Sequence, residues 1–239
     1  MTPSSFKWEF NDQVALVTGA GRGTGREIAV ALAECGAVVA ANDITPVNLD
    51  DTLARILAGG GNARDYVFDV AKRMPVQAMV DQVMQDWGHI DILVNCASVK
   101  ARGMILEIDE WDWQRSLDVN LSGPFYLMQQ VGRLMRDRGG GAILNLVSAA
   151  AESPPSGAAF TASKMGLIEL TREAARELGA YHIRVNAVCP GWVESGLPGA
   201  YDSGSIPIKR PETNEEVVNL ILFLCSEAAS DITGQVMCL

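Results

Sequence analysis

The sequence predicts a single-domain α/β protein with a doubly wound, seven-stranded parallel sheet that carries helices on both faces. Three observations support this prediction. The 239 residues suit one large domain. Apolar residues make up 48% of the chain and charged residues 20%, a balance typical of globular proteins. Short continuous Val/Ile/Leu segments alternate with longer segments of helical period, which indicates parallel strands buried on both faces.

Seven short apolar segments are predicted to be strands. The first is residues 13–18 (QVALVT), and the second is residues 37–41, which the turn formers Asn42 and Asp43 bring to an end. Their length and their Val content favour strands over buried helices. The remaining strands are predicted at residues 65–68, 90–94, 142–147, 183–188 and 235–239.

The segments between the strands have apolar residues at helical spacing. Residues 25–34 (GREIAVALAE) are amphipathic and predict the first helix. The longest helix is predicted at residues 111–138, with an interruption at Gly123 and Pro124, and glycines 139–141 end it. The other helices are predicted at residues 49–57, 76–87, 162–178 and 215–224.

No linker divides the chain into two domains. Residues 1–11 alternate aromatic and polar residues and are interpreted as an N-terminal extension that packs onto the body of the protein. Residues 12–239 form the predicted domain. Within it, residues 191–211 are rich in Gly, Pro and Ser and lack periodicity, which favours a loop over the substrate site.

Composition and charge exclude several function classes. The formal net charge of −10 argues against a nucleic-acid partner, which needs a basic surface. No apolar run approaches the roughly 20 residues that cross a bilayer, and no secretory signal opens the chain. We therefore expect a cytoplasmic protein without a membrane partner. The five scattered cysteines and the two histidines, His89 and His182, match no metal site and no histidine-based nucleophilic triad.

A glycine-rich segment, residues 18–25 (TGAGRGTG), lies between the first strand and the first helix. Glycines permit a tight turn and let the backbone approach a pyrophosphate at a helix N-terminus, where free N–H groups favour an anion. A simple turn is the alternative, but the strand–turn–helix context favours phosphate binding. No Lys-Ser/Thr follows, which excludes a P-loop. The predicted cofactor-binding residues here are Gly19, Gly21, Arg22, Gly23, Thr24 and Gly25.

An acidic residue, Asp43, ends the second strand 18 residues beyond Gly25. From this position a carboxylate can accept hydrogen bonds from an adenosine ribose diol and repel a 2′-phosphate. A solvated turn residue is the alternative. Arg22 has the opposite preference, because its guanidinium can pair with a 2′-phosphate. NAD is therefore the predicted cofactor, and NADP stays open.

Residues 18–25 resemble the TGxxxGxG motif of the short-chain dehydrogenase/reductase family, and the chain resembles 3-oxoacyl-ACP reductases within it. The resemblance covers residues 12–239, with further motifs in the family's order. It implies a Rossmann fold and hydride transfer between a nicotinamide cofactor and a carbonyl or secondary alcohol. The further motifs are Asp69-Val70, Asn95-Cys96-Ala97-Ser98 in place of NNAG, Asn120, Ser148, Lys164 and Pro190-Gly191.

The resemblance also implies roles for individual residues. Lys164 would bind the nicotinamide ribose and lower the pKa of a nearby phenol by its charge. Asn120 would hold a water in a proton relay, and Ser148 would hydrogen-bond the substrate oxygen. The implied contacts to the cofactor are Asp69 and Val70 to adenine, Asn95 and Ala97 to the adenosine ribose, and Pro190, Gly191, Val193 and Ser195 to the carboxamide and phosphates.

The chain departs from the family at the reacting group. The family's YxxxK motif is FTASK here, so Phe160 stands where the family has its catalytic tyrosine. Tyr181 lies beyond the end of the same predicted helix, and the alkanol hydroxyls of Thr161 and Ser163 are too weakly acidic to replace a phenol easily. Residues 160 and 164 are one helical turn apart, so both side chains are expected to face the nicotinamide.

Two function classes stay open. The first is an oxidoreductase whose turnover is impaired by Phe160. The second is a dinucleotide-binding sensor or partner subunit without turnover. A sugar-nucleotide epimerase is disfavoured, because little chain follows the sixth strand. Substrate identity is not predicted, although Lys100 and Arg102 follow the fourth strand and could meet an anionic group, and Glu152 and Trp192 border the expected pocket.

The helices at residues 111–138 and 162–178 carry apolar residues on more than one face. One face must cover the sheet, and the family resemblance suggests that the other contacts the same helices of a second subunit. We therefore expect a homodimer or homotetramer with a self-complementary interface. The residues on which this expectation rests are Phe125, Leu127, Met128, Leu167, Ile168 and Leu170.

Overall fold

The computed structural model describes residues 8–101, 103–148, 157–191 and 213–239. Its sheet has seven parallel strands in the order β3-β2-β1-β4-β5-β6-β7, which confirms the predicted doubly wound α/β fold. The strands are β1 (Val14–Thr18), β2 (Val38–Asp43), β3 (Asn62–Val67), β4 (Ile92–Asn95), β5 (Gly141–Leu146), β6 (Ile183–Cys189) and β7 (Val236–Cys238).

Helices cover both faces of the sheet. One face packs against the first, second and last helices, and the other face packs mainly against the third and fifth. The helices are α1 (Gly23–Glu34), α2 (Pro46–Ala58), α3 (Arg73–Trp87), α4 (Glu110–Leu117), α5 (Gly123–Arg138), α6 (Ala158–Leu178) and α7 (Asn214–Cys225).

Strand β1 shows why the central strands are continuously apolar. All five of its residues are buried. Ala15 and Val17 pack into the core cluster beneath α1 and α7, whereas Val14 and Leu16 pack into the cluster beneath α3 and α5. A strand whose two faces are both covered by helices needs apolar side chains at every position, so it lacks the alternation of a half-exposed strand.

The predicted helix at residues 111–138 is wrong in detail. Helix α4 ends at Leu117, a π-helical turn spans Asp118–Ser122, and α5 begins at Gly123. The break therefore lies before Gly123-Pro124 rather than at it. Pro124 has no N–H to donate to the carbonyl of residue 120, and a wider turn accommodates that missing hydrogen bond.

Several other boundaries also differ from the predictions: α2 and α3 each begin three residues earlier than predicted, at Pro46 and Arg73. Helix α6 begins at Ala158, four residues earlier than predicted, after Gly157 with φ of 89°. Strand β3 begins at Asn62, three residues early. As an edge strand it is mostly exposed, so its first residues are polar and give no apolar signal.

The described part of the N-terminal segment contacts the body of the protein. Phe10 is buried, and its N–H donates to the Cys35 carbonyl at 2.8 Å. The rings of Trp8 and Phe223 lie 6.0 Å apart. Within the described ranges, no helix combines the length and apolar character needed to cross a membrane.

Most of the six apolar residues that indicated two apolar faces on these helices lie on the face that is internal. Leu127, Met128, Leu167 and Ile168 are all buried in the core of this chain. Phe125 is 40% exposed, and Leu170 is half-buried on the same outer face of α5 and α6. The outer apolar surface is thus narrower than the sequence indicated, because most of these side chains cover the sheet.

Candidate active site

A cleft of about 660 Å³ opens at the carboxyl ends of the strands. Strand order reverses between β1 and β4, and the loops that follow these two strands line the cleft, as expected for a ligand site of a doubly wound sheet. One part of the cleft is lined by the glycine-rich turn and the end of β2. Another part is lined by Ser148, which follows β5, and by Phe160 and Lys164 at the start of α6.

The glycine-rich turn connects β1 to α1 and tolerates few side chains. Gly19 has φ of 65°, and a Cβ there would lie 2.8 Å from the backbone N of Ala97. A Cβ on Gly25 would collide with the Gly19 carbonyl oxygen. By contrast, a Cβ on Gly23 would meet nothing within 4 Å, so space is open at the N-terminus of α1. Thr24 lines the cleft, and its hydroxyl donates to Asn214 Oδ1 at 3.1 Å.

Asp43 ends β2 and lines the cleft beside this turn. Its Oδ2 accepts a hydrogen bond from the backbone N–H of Gly21 at 3.1 Å. Its Oδ1 accepts from the N–H groups of Ile44 at 2.8 Å and Thr45 at 3.3 Å. The carboxylate is therefore fixed at the edge of the cleft. Arg22, the residue with the opposite predicted preference, also lines the cleft.

Asp69 and Val70 line the cleft after β3. The Asp69 carboxylate accepts from Arg115 Nη1 at 3.0 and 3.3 Å, and from the Ala71 N–H at 3.0 Å. Arg115, on α4, also lines the cleft and was not predicted from the sequence. It lies 46 residues from Asp69, so no local motif could have revealed the pair.

Asn95 and Ala97 have different surroundings. Ala97 lines the cleft, whereas Asn95 is 2% exposed and does not line it. Asn95 Nδ2 donates to Asn145 Oδ1 at 2.8 Å, and Asn145 Nδ2 donates to Thr171 Oγ1 at 2.9 Å. These bonds connect β4, β5 and α6 through buried side chains, so Asn95 stabilises the sheet. Its contact with the adenosine ribose stays a prediction. Among the described residues, Asn95 Oδ1 has no hydrogen-bond partner.

Phe160 and Lys164 lie one turn apart on α6 and both face the cleft, as the sequence spacing predicted. Lys164 Nζ lies 5.9 Å from the centroid of the Phe160 ring and donates to the Leu146 carbonyl at 2.8 Å. The side chain is 3% exposed, and burial lowers the pKa of its ammonium to about 8. Ser148 lines the cleft next to them.

The Asn120 side chain is fully engaged within the protein. Its Oδ1 accepts from the Val99 N–H at 2.9 Å and the Ser98 hydroxyl at 3.2 Å. Its Nδ2 donates to the Val99 carbonyl at 2.9 Å and to Ser163 Oγ at 3.0 Å. An amide has capacity for these four bonds, so this side chain does not hold a relay water. Any such water would need the backbone of the π-helical turn.

A second cation lies near the Phe160 ring. Lys100, five residues beyond the end of β4, places its Nζ 5.4 Å from the ring centroid. The sequence singled out Lys100 only for its position after β4. Tyr181 lies in a turn after α6 and lines a groove on the outer face of the α5–α6 pair, away from this cleft.

Pro190 lines the cleft after β6, and Gly191 directly follows it. Most of the predicted loop at residues 191–211 falls outside the described residues. Five other residues predicted for the cleft also fall outside them, namely Arg102, Glu152, Trp192, Val193 and Ser195.

The doubly wound sheet, its glycine-rich β1–α1 turn and the acidic residue at the end of β2 define an α/β protein of the dinucleotide-binding class. A family model described as Enoyl-(Acyl carrier protein) reductase matches residues 19–239. The chain therefore belongs to the short-chain dehydrogenase/reductase family, whose members are oxidoreductases.

Individual relatives agree with this assignment. The chain is 35% identical to a 3-oxoacyl-(acyl-carrier-protein) reductase FabG of Thermotoga maritima, over 94% of this chain and 95% of the relative. It is 37% identical to a D-threitol dehydrogenase of Mycolicibacterium smegmatis, over 96% and 92%. A solved 7α-hydroxysteroid dehydrogenase with NADH and 7-oxo glycochenodeoxycholic acid is 31% identical, covers 98% of this chain and 94% of its own, and has a TM-score of 0.90.

Proposed function

We propose that this protein binds NAD(H) and transfers hydride between the nicotinamide and a carbonyl or secondary alcohol, with turnover impaired by Phe160. The observation that carries the proposal is the joint placement of Phe160, Lys164 and Ser148 at one end of the cleft, with Asp43 and the glycine turn at the other. One small-molecule substrate beside one extended cofactor fits this arrangement.

The cleft fits a dinucleotide. The open space at Gly23 lies at the N-terminus of α1, where free N–H groups and the helix dipole favour a phosphate. The bound nicotinamide would supply or accept the hydride. Lys164 would hold its ribose, Ser148 would orient the substrate oxygen, and Val70 and Ala97 would border the adenosine. Contacts by Val193, Ser195, Glu152 and Trp192 stay predictions.

NAD is the proposed cofactor, and NADP is the alternative. Asp43 supports NAD, because its fixed carboxylate would accept from a ribose diol and repel a 2′-phosphate. Solved relatives are described as an NAD⁺-bound xylitol dehydrogenase and a steroid dehydrogenase with NADH, which agrees with this preference. Arg22 is the one feature of this end that favours NADP.

A dinucleotide-binding protein without turnover is the second candidate, and Phe160 is the observation that favours it. A benzene ring has no acidic proton, whereas positioned acid–base groups contribute about 10²–10⁴ in rate. The intact remainder of the site, with Lys164 buried next to the ring at an energetic cost, supports the enzyme instead.

Calorimetric titration with NADH, followed by a turnover assay with keto sugars, steroid ketones and acetoacetyl thioesters, tests the proposal. We expect one NADH per chain and slow, measurable carbonyl reduction. A Gly25→Val variant is the control for binding, because a side chain at this position collides with the Gly19 carbonyl. Absence of NADH binding to the unaltered chain would contradict both candidates.

We also propose that the protein forms a homodimer or homotetramer through the outer face of α5 and α6. The groove there combines apolar or small residues with charged ones. The first group includes Phe125, Gly132, Leu170 and Ala174, and the second is Arg133, Arg136, Glu173 and Glu177, so charges of both signs are available for pairing with a second copy. Light scattering at micromolar concentration is expected to give at least twice 25.6 kDa. A monomer, or a dimer that survives Leu170→Glu, would contradict this interface.

A further inference from the structure

We propose that Lys100 donates the proton to the substrate oxygen during carbonyl reduction, in place of the phenol that Phe160 lacks. This inference rests on the proposed function, because it concerns the acid of the same reaction. The geometry that carries it is the position of Lys100 Nζ, 5.4 Å from the centroid of the Phe160 ring.

Within the described ranges, the other polar side chains of the catalytic end have partners of their own or are weak acids. The Ser163 hydroxyl donates to the Phe160 carbonyl at 2.8 Å and accepts from Asn120 Nδ2. The four hydrogen bonds of Asn120 use its whole amide. Lys164 is buried and donates to the Leu146 carbonyl. Ser148 has an alkanol hydroxyl, which is a much weaker acid than a phenol.

Several properties suit Lys100 to this role, and its exposure distinguishes it from the buried Lys164. The Lys100 side chain is exposed, so its ammonium can exchange protons with water after each turnover. Among the described residues, no carboxylate lies within the 4.0 Å of Lys100 that defines an ion pair, so no salt bridge fixes it. Its long, flexible stem lets the nitrogen reach past the ring edge. The ring of Phe160 itself attracts the cation toward the cleft.

An ammonium can act as a general acid. Its N–H carries an ionisable proton, which the benzene ring of Phe160 lacks, and general acid catalysis requires that such a proton come within hydrogen-bond reach of the substrate oxygen. A nearby ammonium can therefore replace the phenol as the proton donor, with less precise placement.

The proton and electron balance is complete. The carbonyl carbon accepts a hydride, the C=O π pair moves to the oxygen, and the oxygen takes a proton from the Lys100 ammonium to give the alcohol. Reduced nicotinamide is the hydride source and is oxidised. The neutral Lys100 amine then regains a proton from water, so no further reactant is needed.

A double-mutant cycle with neutral carbonyl substrates tests the proposal. With a keto sugar and an uncharged acetoacetyl thioester, an ion pair between Lys100 and the substrate cannot contribute. We expect Lys100→Met to lower kcat by at least about 10-fold in the unaltered chain, and by less than about 2-fold when combined with Phe160→Tyr. The matched control is Lys72→Met, because Lys72 is an exposed lysine directly before α3 and, unlike Lys100, makes no cation–π contact with the Phe160 ring.

Each other outcome overturns the role of Lys100. An equal loss in both backgrounds would assign Lys100 to substrate binding, and no loss in either would remove it from the reaction. Full activity of Lys100→Arg would show that charge alone suffices, because a guanidinium does not give up its proton in proteins. If the Phe160→Tyr variant turns over and the unaltered chain does not, then no group replaces the phenol in the unaltered chain. Absence of turnover in every variant would contradict the proposed function itself.

A second readout does not depend on activity. In the cofactor-free chain, ¹³C-dimethylated lysines are followed by NMR, and the Lys100 signal is assigned by its loss in Lys100→Met. We expect Phe160→Leu to shift this signal, because the ring current of Phe160 disappears, and to leave the Lys72 signal in place. An unshifted Lys100 signal would show that the cation does not visit the ring in solution, which overturns the proposal.

Discussion

The two ends of the cleft are built differently. The end formed by β1, α1 and β2 depends on backbone geometry: Gly19 and Gly25 allow close approach, and backbone N–H groups fix Asp43. The end formed by β5 and α6 depends on a few side chains, above all Phe160 and Lys164. A single substitution can remove function at the second end and leave the first intact. We therefore expect substitutions at Phe160 to separate cofactor binding from catalysis.

The largest expected effect concerns Phe160. Phe160→Tyr places a phenol beside the Lys164 ammonium, and we expect kcat to rise by at least about 10², which corresponds to about 3 kcal/mol of barrier. The NADH dissociation constant should change by less than about 2-fold, because the turn and Asp43 are untouched. Steady-state kinetics and calorimetry on both forms measure this. An unchanged kcat with NADH bound would favour the non-catalytic candidate.

The second expected effect concerns the cost of burying Lys164. Below pH 8 both the folded and the unfolded chain hold this proton, and the buried charge destabilises the fold in full. Between a folded pKa of about 8 and an unfolded value of 10.5, only the unfolded chain keeps the proton, so this group makes the free energy of unfolding increase with pH. From pH 7 to pH 10 the gain is about 2.5 kcal/mol.

Urea unfolding of the unaltered chain and of Lys164→Met measures this gain. The difference in unfolding free energy between them isolates Lys164, because the remaining titratable groups are shared. We expect the difference to shift in favour of the unaltered chain as pH rises. If the difference in unfolding free energy does not depend on pH, the Lys164 ammonium is solvated in solution. The cleft around Lys164 would then be more open to water than in the structure.

The fold was more predictable than the site, and for a physical reason. Fully buried strands such as β1 need apolar residues at every position, which makes them visible in sequence, whereas the exposed edge strand β3 does not. The glycine turn and Asp43 were predictable because they are local and ordered along the chain. Arg115 and the contact of Lys100 with Phe160 were not, since each joins side chains that are distant in sequence.

The third expected effect concerns cofactor selection at the backbone-built end. Asp43→Asn removes a charge but keeps one carbonyl acceptor. Charge-assisted hydrogen bonds contribute about 1.5–3 kcal/mol, so we expect NADH affinity to fall by about 10-fold. NADPH affinity should rise or stay level, because the repulsion between the Asp43 carboxylate and the 2′-phosphate is removed. Calorimetry with both cofactors measures the ratio, and Asp81→Asn, on the exposed face of α3, is the charge-matched control. If the unaltered chain binds NADPH more tightly than NADH, then Arg22 decides the cofactor preference.

The smallest expected effect concerns Arg115, which holds the Asp69 carboxylate at 3.0 Å in a partly exposed ion pair. Such pairs contribute about 0.2–1 kcal/mol. Arg115→Met leaves Asp69 with the Ala71 N–H, so the residue assigned to adenine by the family resemblance loses part of its orientation. We expect NADH affinity to fall by no more than about 5-fold. In the Phe160→Tyr background kcat should stay unchanged, because Phe160 and Lys164 lie at the other end of the cleft. A fall in kcat at saturating NADH would show that the two ends are coupled through α4, and the separation of binding from catalysis would fail.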